Sequence, residues 1–191
     1  MIEVLVVMLI LSFGMLGIAS LQANTAKFKI NSWARSAASV QFSDLADRVR
    51  ANPTQAGMTY ATTGSGTSAS GYALASDWST QQAATLAIST DCLTTECTAA
   101  ERATYDMLVW RAGVRRMFPQ GAAVVAGNRS TGVSASIAWF DRQFTKTDNS
   151  LDSSAVCVAG VSGAVQANCC PAALGDPATP GVRCTNISFL P

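Results

Sequence analysis

The sequence contains no histidine. That removes Ser-His-Asp and Cys-His catalysis and every histidine-ligated metal site. Charge is scarce: Lys, Arg, Asp and Glu make up 13% of the 191 residues, and the formal net charge is +1. A chain so close to neutral has no overall field to gather nucleic acid or anionic lipid, and no nucleic-acid partner is expected. Proline is missing before Pro53, so nothing in that stretch interrupts a helix. The lysines are Lys27, Lys29 and Lys146, and none sits in a Ser-x-x-Lys motif. There is no Cys-x-x-Cys redox pair, and the acids are scattered. The Gly/Ser-rich stretch Gly64 to Gly71 has no Lys-Ser/Thr after it and no strand before it, so it is a flexible loop and not a phosphate loop. No enzyme, cofactor or metal is expected from these residues.

What the chain does have is one long apolar run, Ile2 to Leu21, IEVLVVMLILSFGMLGIASL, with a single charge, Glu3, near its start. Twenty residues at about 1.5 Å each make roughly 30 Å of helix, the thickness of a bilayer's hydrocarbon core. The run lacks a basic start, is too long for a signal-peptide core, and offers only Ala19-Ser20 as a cleavage site. A charged residue at mid-membrane costs about 2.5–3.5 kcal/mol, which a position near the helix end largely avoids. Glu3 is therefore either a snorkelling acid or a charge kept for a partner. Gly14 and Gly17 sit in the run and would let apolar helices approach closely.

Helical spacing continues past the run. Ala26, Ile30, Trp33, Ala37 and Val40, with Ala34, Ala38, Phe42, Leu45 and Val49, form one broad stripe. Arg35, Asp44, Asp47, Arg48 and Arg50 read as its solvated side, and Asn52-Pro53 as its stop. Such a helix would be about 75 Å long. Three parts follow: an apolar half-helix at 1–21, an amphipathic half at 22–52, and a head at 53–191. Within the head, 53–121 carries a loop and a second helix, and 122–191 a sheet and a Cys-rich loop.

Trp78 and Thr85 to Ile88 suggest a short strand or a loop on the core. Thr98 to Glu101 is a capping box opening the second helix, with Ala103, Met107, Trp110, Val114 and Met117 as its apolar face. Arg115 and Arg116 close it, where positive charge suits the helix dipole, and Pro119 and Gly121 end it. Arg111, Arg115 and Arg116 could touch phosphate, but a solvated helix end explains them better. Ala122 to Ala126 and Val133 to Phe140 read as a hairpin around a turn at 127–132, with Val133, Ala135, Ile137 and Trp139 inward and Ser134 and Ser136 outward. Residues 141–182 are a Pro/Gly loop, and 183–190 a closing strand with Ile187 and Phe189 inward.

Six cysteines beside a membrane-crossing segment read as three disulfides in an oxidising compartment. Cys92 and Cys97 can close a small loop. Adjacent Cys169 and Cys170 rarely bond each other, so Cys157 takes one and Cys184 the other, and two patterns stay open. Zinc is the competing reading, and the spacing speaks against it. Asn128-Arg129-Ser130 and Asn186-Ile187-Ser188 match the N-glycosylation triplet, most simply by chance.

The start Met1-Ile2-Glu3-Val4-Leu5-Val6 followed by an apolar helix resembles the N-terminus of type IV pilins. In that family a prepilin peptidase cuts after a glycine, methylates the new first residue, and leaves an apolar helix with a glutamate near its start. If Glu3 is that glutamate, the processed end lies upstream of Met1. Asp91-Cys92 and Cys97 before the helix with Asp106 to Trp110, then Phe118 to Gly121 and Ile137 to Phe140, are similar to the PilV-type minor pilins, the type IV pilus modification proteins. The resemblance implies an α+β pilin-like fold, a long N-terminal helix packed on a small antiparallel sheet. It implies a minor pilin that helps start pilus assembly at the inner membrane, with its head in the periplasm, and then sits near the pilus tip at the cell surface. Partners would be other minor pilins, the major pilin, the inner-membrane assembly platform and prepilin peptidase, with twitching motility and cell adhesion as the readouts. Glu3 would pair with a neighbouring subunit's amino terminus. The alternatives are a minor pseudopilin of type II secretion and a membrane-anchored periplasmic binding module.

Overall fold

The computed structural model describes residues 2–56, 70–129, 131–160, 162–175 and 178–191. Most of the 64–71 loop, the side chains of Ala26 and Lys27, Ser130 of the first glycosylation triplet, and Pro177 lie outside the described residues. The chain is α+β. Helix α1 runs Ile2–Ala51, α2 Trp78–Ala83, α3 Ala99–Met117 and α4 Gly163–Asn168. Strands β1 (Ala122–Asn128), β2 (Gly132–Phe140) and β3 (Val182–Phe189) form one antiparallel sheet in the order β1-β2-β3. Two short 3-10 turns, Pro53–Gln55 and Ala172–Leu174, complete the elements among the described residues. The chain divides into two compact units, Met1–Ser36 and Ala37–Pro191.

Helix α1 is unbroken for 50 residues, as the lack of proline allows. It stops at Asn52, the residue before Pro53, and the 3-10 turn follows at once. In the second unit its inner face is Ala37, Ala38, Phe42, Leu45, Ala46 and Val49, all buried. The stripe read from the sequence is narrower than expected: Ile30, Trp33 and Val40 are exposed. The three alanines among these inner positions leave room for Trp110 of α3 to reach the backbone. Trp110 is 1% exposed, and its indole N–H donates to the Gln41 carbonyl at 2.8 Å.

Helix α3 begins with the capping box the sequence announces. The Glu101 backbone N–H donates to Thr98 Oγ1, and the Thr98 backbone N–H donates to the Glu101 carboxylate at 2.8 Å. Ala103, Met107, Trp110 and Val114 are buried, while Met117, at the last turn, is exposed. Trp78 opens a helix, not a strand. Asp77 caps α2 by accepting from the Thr80 backbone at 2.9 Å, and residues 85–88 form no regular element.

The sheet is covered on both faces. On one, Val133, Ala135, Ile137 and Trp139 are buried, and Trp139 meets Phe118 with ring centroids 5.7 Å apart. On the other lies a second small core of Ala122, Val124, Ala138, Val182 and Cys184, roofed by Trp78, Cys170, Leu174 and Ala178. This corrects the half-buried reading of β2 at Ser136, which is buried, while Ser134 is exposed as read. It also corrects β3: Val182 and Cys184 are its inward residues, Ile187 is exposed, and Phe189 is half-buried under the Arg50 guanidinium at 5.8 Å. The hairpin turn is shorter than read, with Asn128 already paired to Gly132.

The outer edge of β1 is sealed. Leu74 and Val125 exchange backbone hydrogen bonds at 2.8 and 2.9 Å. Beside them the buried Gln81 amide donates to the Ala123 carbonyl at 2.8 Å and accepts from its N–H at 3.0 Å, as a further strand would. Sealing an edge removes a template for unwanted strand pairing.

Candidate functional site

The first candidate is the apolar stem itself. Ile2–Gln22 is long and apolar enough to cross a membrane, with mean hydropathy 2.6 and no part of it buried. Large apolar side chains are exposed all round it, among them Leu5, Ile10, Phe13 and Leu16. A surface of that kind is unstable in water and needs lipid or other apolar helices against it. Ser12 leaves no polar debt, since its hydroxyl donates to the Met8 carbonyl at 2.7 Å.

Glu3 lies in the first turn of α1, where the helix dipole favours a carboxylate. Glu3, Val7, Ile10, Gly14, Gly17 and Leu21 follow one another at alternating steps of four and three residues, so they share one stripe of the helix. The acid and both glycines therefore lie on the same side. A Cβ built at Gly14 or Gly17 meets nothing within 4 Å, so neither glycine is needed for packing within the chain. A 3.5-residue repeat with small residues in it is the pattern by which apolar helices pack side by side.

The cysteines are consumed in three disulfides: Cys92–Cys97, Cys157–Cys169 and Cys170–Cys184. This selects one of the two patterns left open and sets the zinc reading aside. Among the described residues, no group of three or more His, Cys, Asp or Glu could hold a metal ion. Of Arg111, Arg115 and Arg116 in the second half of α3, Arg115 is committed to the protein, donating to the carbonyls of Ala84 (2.7 Å) and Gln81. Burial and neighbouring Arg115 push the Arg111 guanidinium down from its usual value. The Asn186 amide nitrogen donates to the Gln166 and Cys169 carbonyls at 2.6 and 2.8 Å, so this second glycosylation triplet has no free nitrogen in the folded chain.

One charged cluster escaped the sequence reading. Arg48, taken there as solvated, donates to Asp44 and to Asp106, each at 3.0 Å. Asp106 is buried and also accepts from the Tyr72 hydroxyl at 2.9 Å. Burial first, and the bond to Asp106 with it, push the Tyr72 hydroxyl up to about 12. The cluster ties α1 to α3 and to the segment before α2. Its hydrogen bonds hold these three parts of the head together.

No family model, no curated protein and no solved structure matches this chain.

Proposed function

We propose that this chain is a minor pilin, a non-enzymatic subunit that helps start a type IV pilus at the inner membrane and is built in at or near its tip. The observation that carries the reading is the stem: apolar on every side, with one acid in its first turn on the same stripe as two unneeded glycines. A simple membrane anchor gains no contact from an acid near its start, even though that position avoids most of the insertion cost. An acid makes sense where a neighbouring subunit supplies a positive charge, its amino terminus. Within a dry bundle of stems an unpaired carboxylate is costly, so the pairing also favours register.

Before assembly the subunit would be held in the inner membrane by the stem with the head in the periplasm. That compartment suits three closed disulfides. The partners would be other minor pilins, the major pilin, the assembly platform and prepilin peptidase. The type II secretion pseudopilin shares the stem, so it is the reading to test against. Deleting the gene and scoring twitching motility against protein secretion separates the two. Lost twitching with intact secretion supports the pilus. The reverse pattern rejects it.

A further inference from the structure

The two edges of the sheet are finished differently. At β1 the outward N–H and carbonyl groups of Ala123 and Val125 are taken by Gln81 and Leu74. The other edge is the outer side of β3. Asp141 donates to the Gly181 carbonyl just before the strand, and that sets the phase of the ladder. Arg183, Thr185, Ile187 and Phe189 turn their backbone groups to β2, and the even-numbered residues turn theirs outward. Val182 agrees, since its N–H donates to the Thr179 carbonyl and its own carbonyl accepts from the Ser154 hydroxyl, both outside the sheet. At the far end the Leu190 carbonyl accepts from Arg50. Before it, the N–H and carbonyl groups of Asn186 and Ser188 meet no partner among the described residues. Ile187, Ser188 and Leu190 are exposed, so this end of the strand is open to solvent.

Natural edges are blunted by a charge, a proline, a bulge or a very short strand. Here β3 has none of them. No charged residue follows Arg183, no proline comes before Pro191, and the register with β2 runs unbroken from Val182 to Phe189. The chain closes one edge of its sheet with care and leaves the other ready to pair.

We propose that the outer edge of β3, at residues 186–188, takes up an extended segment of a neighbouring subunit as a further strand. Two backbone bonds to Asn186 and two to Ser188 would hold it, since alternating donors and acceptors along an edge are matched by another strand. Side chains would set the preference. Ile187 stands exposed on the face away from the second core, so the incoming residue beside it would be apolar and best β-branched. On the other face the end of α4 stands over Asn186, whose side chain donates to the Gln166 and Cys169 carbonyls, so the incoming residues there would be small. The partner is a different chain, because a subunit near a filament tip has other subunits beside it. To that extent the inference rests on the proposed function.

The test uses the full chain in cells, as their only copy of the gene, with photo-crosslinking p-benzoylphenylalanine in place of Ile187 or of Ser188. These two positions project from opposite faces of β3, so a segment lying along the edge is within reach of both and a partner docked on one face is not. Both positions should crosslink to one segment of one other protein, at neighbouring residues. Ser188→Pro removes an outward N–H that the ladder with β2 does not use, and Ser188→Lys puts on the edge the charge that natural edges carry. Each should cut the yield from position 187 about tenfold or more with the melting temperature unchanged, while Ser188→Ala should not. The proposal is overturned if neither position reaches a protein, if only one of them does, if the partner is a second copy of this chain, or if both variants crosslink like Ser188→Ala. The expected crosslinks to a protein that belongs to no pilus would uphold the added strand and reject the proposed function instead.

Discussion

Single side chains decide more of this head than their local context suggests. Arg48 stands one helical turn from Asp44, and taken alone that is an exposed pair worth under about 1 kcal/mol. What matters is Asp106, distant in sequence and buried. Asp106→Ala strips the guanidinium of its inner partner and the Tyr72 hydroxyl of its acceptor. The expected loss is about 2–3 kcal/mol by denaturant titration, less than for a fully buried pair because the Arg48 side chain stays 25% exposed. An unchanged midpoint would mean the pair is idle. Tyr72 adds a pH signature. Its folded value lies above its unfolded one, so its contribution is complete below about pH 10 and is lost as pH rises towards 12. Tyr72→Phe should flatten the stability profile across that window, and identical profiles would deny the shift. Gln81 gives a third case, since Gln81→Leu leaves the Ala123 N–H and carbonyl unpaired at a buried edge. The cost should be about 1–3 kcal/mol, against near zero for a surface glutamine. None of the three was legible in the sequence, because each depends on a partner from another element. Chain order shows a residue's type and its near neighbours, and pairs formed across the core leave no periodic mark.

Elements whose signals are local were read well. The capping box fixed the start of α3, and Asn52-Pro53 fixed the end of α1. The three strands and the hairpin were legible from alternation and turn residues. The cover on the second sheet face was not. Ser136 looks solvent-facing by composition, and much of the roof over that face comes from a Pro/Gly-rich segment with little periodicity of its own. Cys170–Cys184 fastens that roof to β3. Closing a loop of this size contributes about 3 kcal/mol, so Cys170→Ala/Cys184→Ala should cost about that much and expose the second core to a hydrophobic dye. No added dye binding would show the roof holds without the bond. At the hairpin, Gly127 has a φ of 96° and an added Cβ would fall 2.1 Å from the Gly132 carbonyl. Gly127→Ala should therefore distort the turn, seen as lost amide protection in β1 and β2.

Two units with different needs make up the described chain. The head satisfies its own core and disulfides, whereas the stem exposes apolar surface along its whole length. The stem was the most legible part of the sequence, since length and composition alone define it. Its partners are not legible in the same way, as lipid and neighbouring helices demand the same residues. Gly14 and Gly17 separate the two. Leucine at either position fits this chain without a clash and is a better helix former by about 1 kcal/mol. Gly14→Leu and Gly17→Leu should leave membrane insertion intact yet reduce incorporation into filaments, and unaffected incorporation would leave lipid as the stem's only neighbour. The most direct measurement is a count of surface filaments in cells whose only copy of the gene carries Glu3→Ala, with the head checked by its three closed disulfides. A marked drop in filament number with a folded head is predicted. Filaments as numerous as in the parent, still containing the variant subunit, would contradict the role given to the stem.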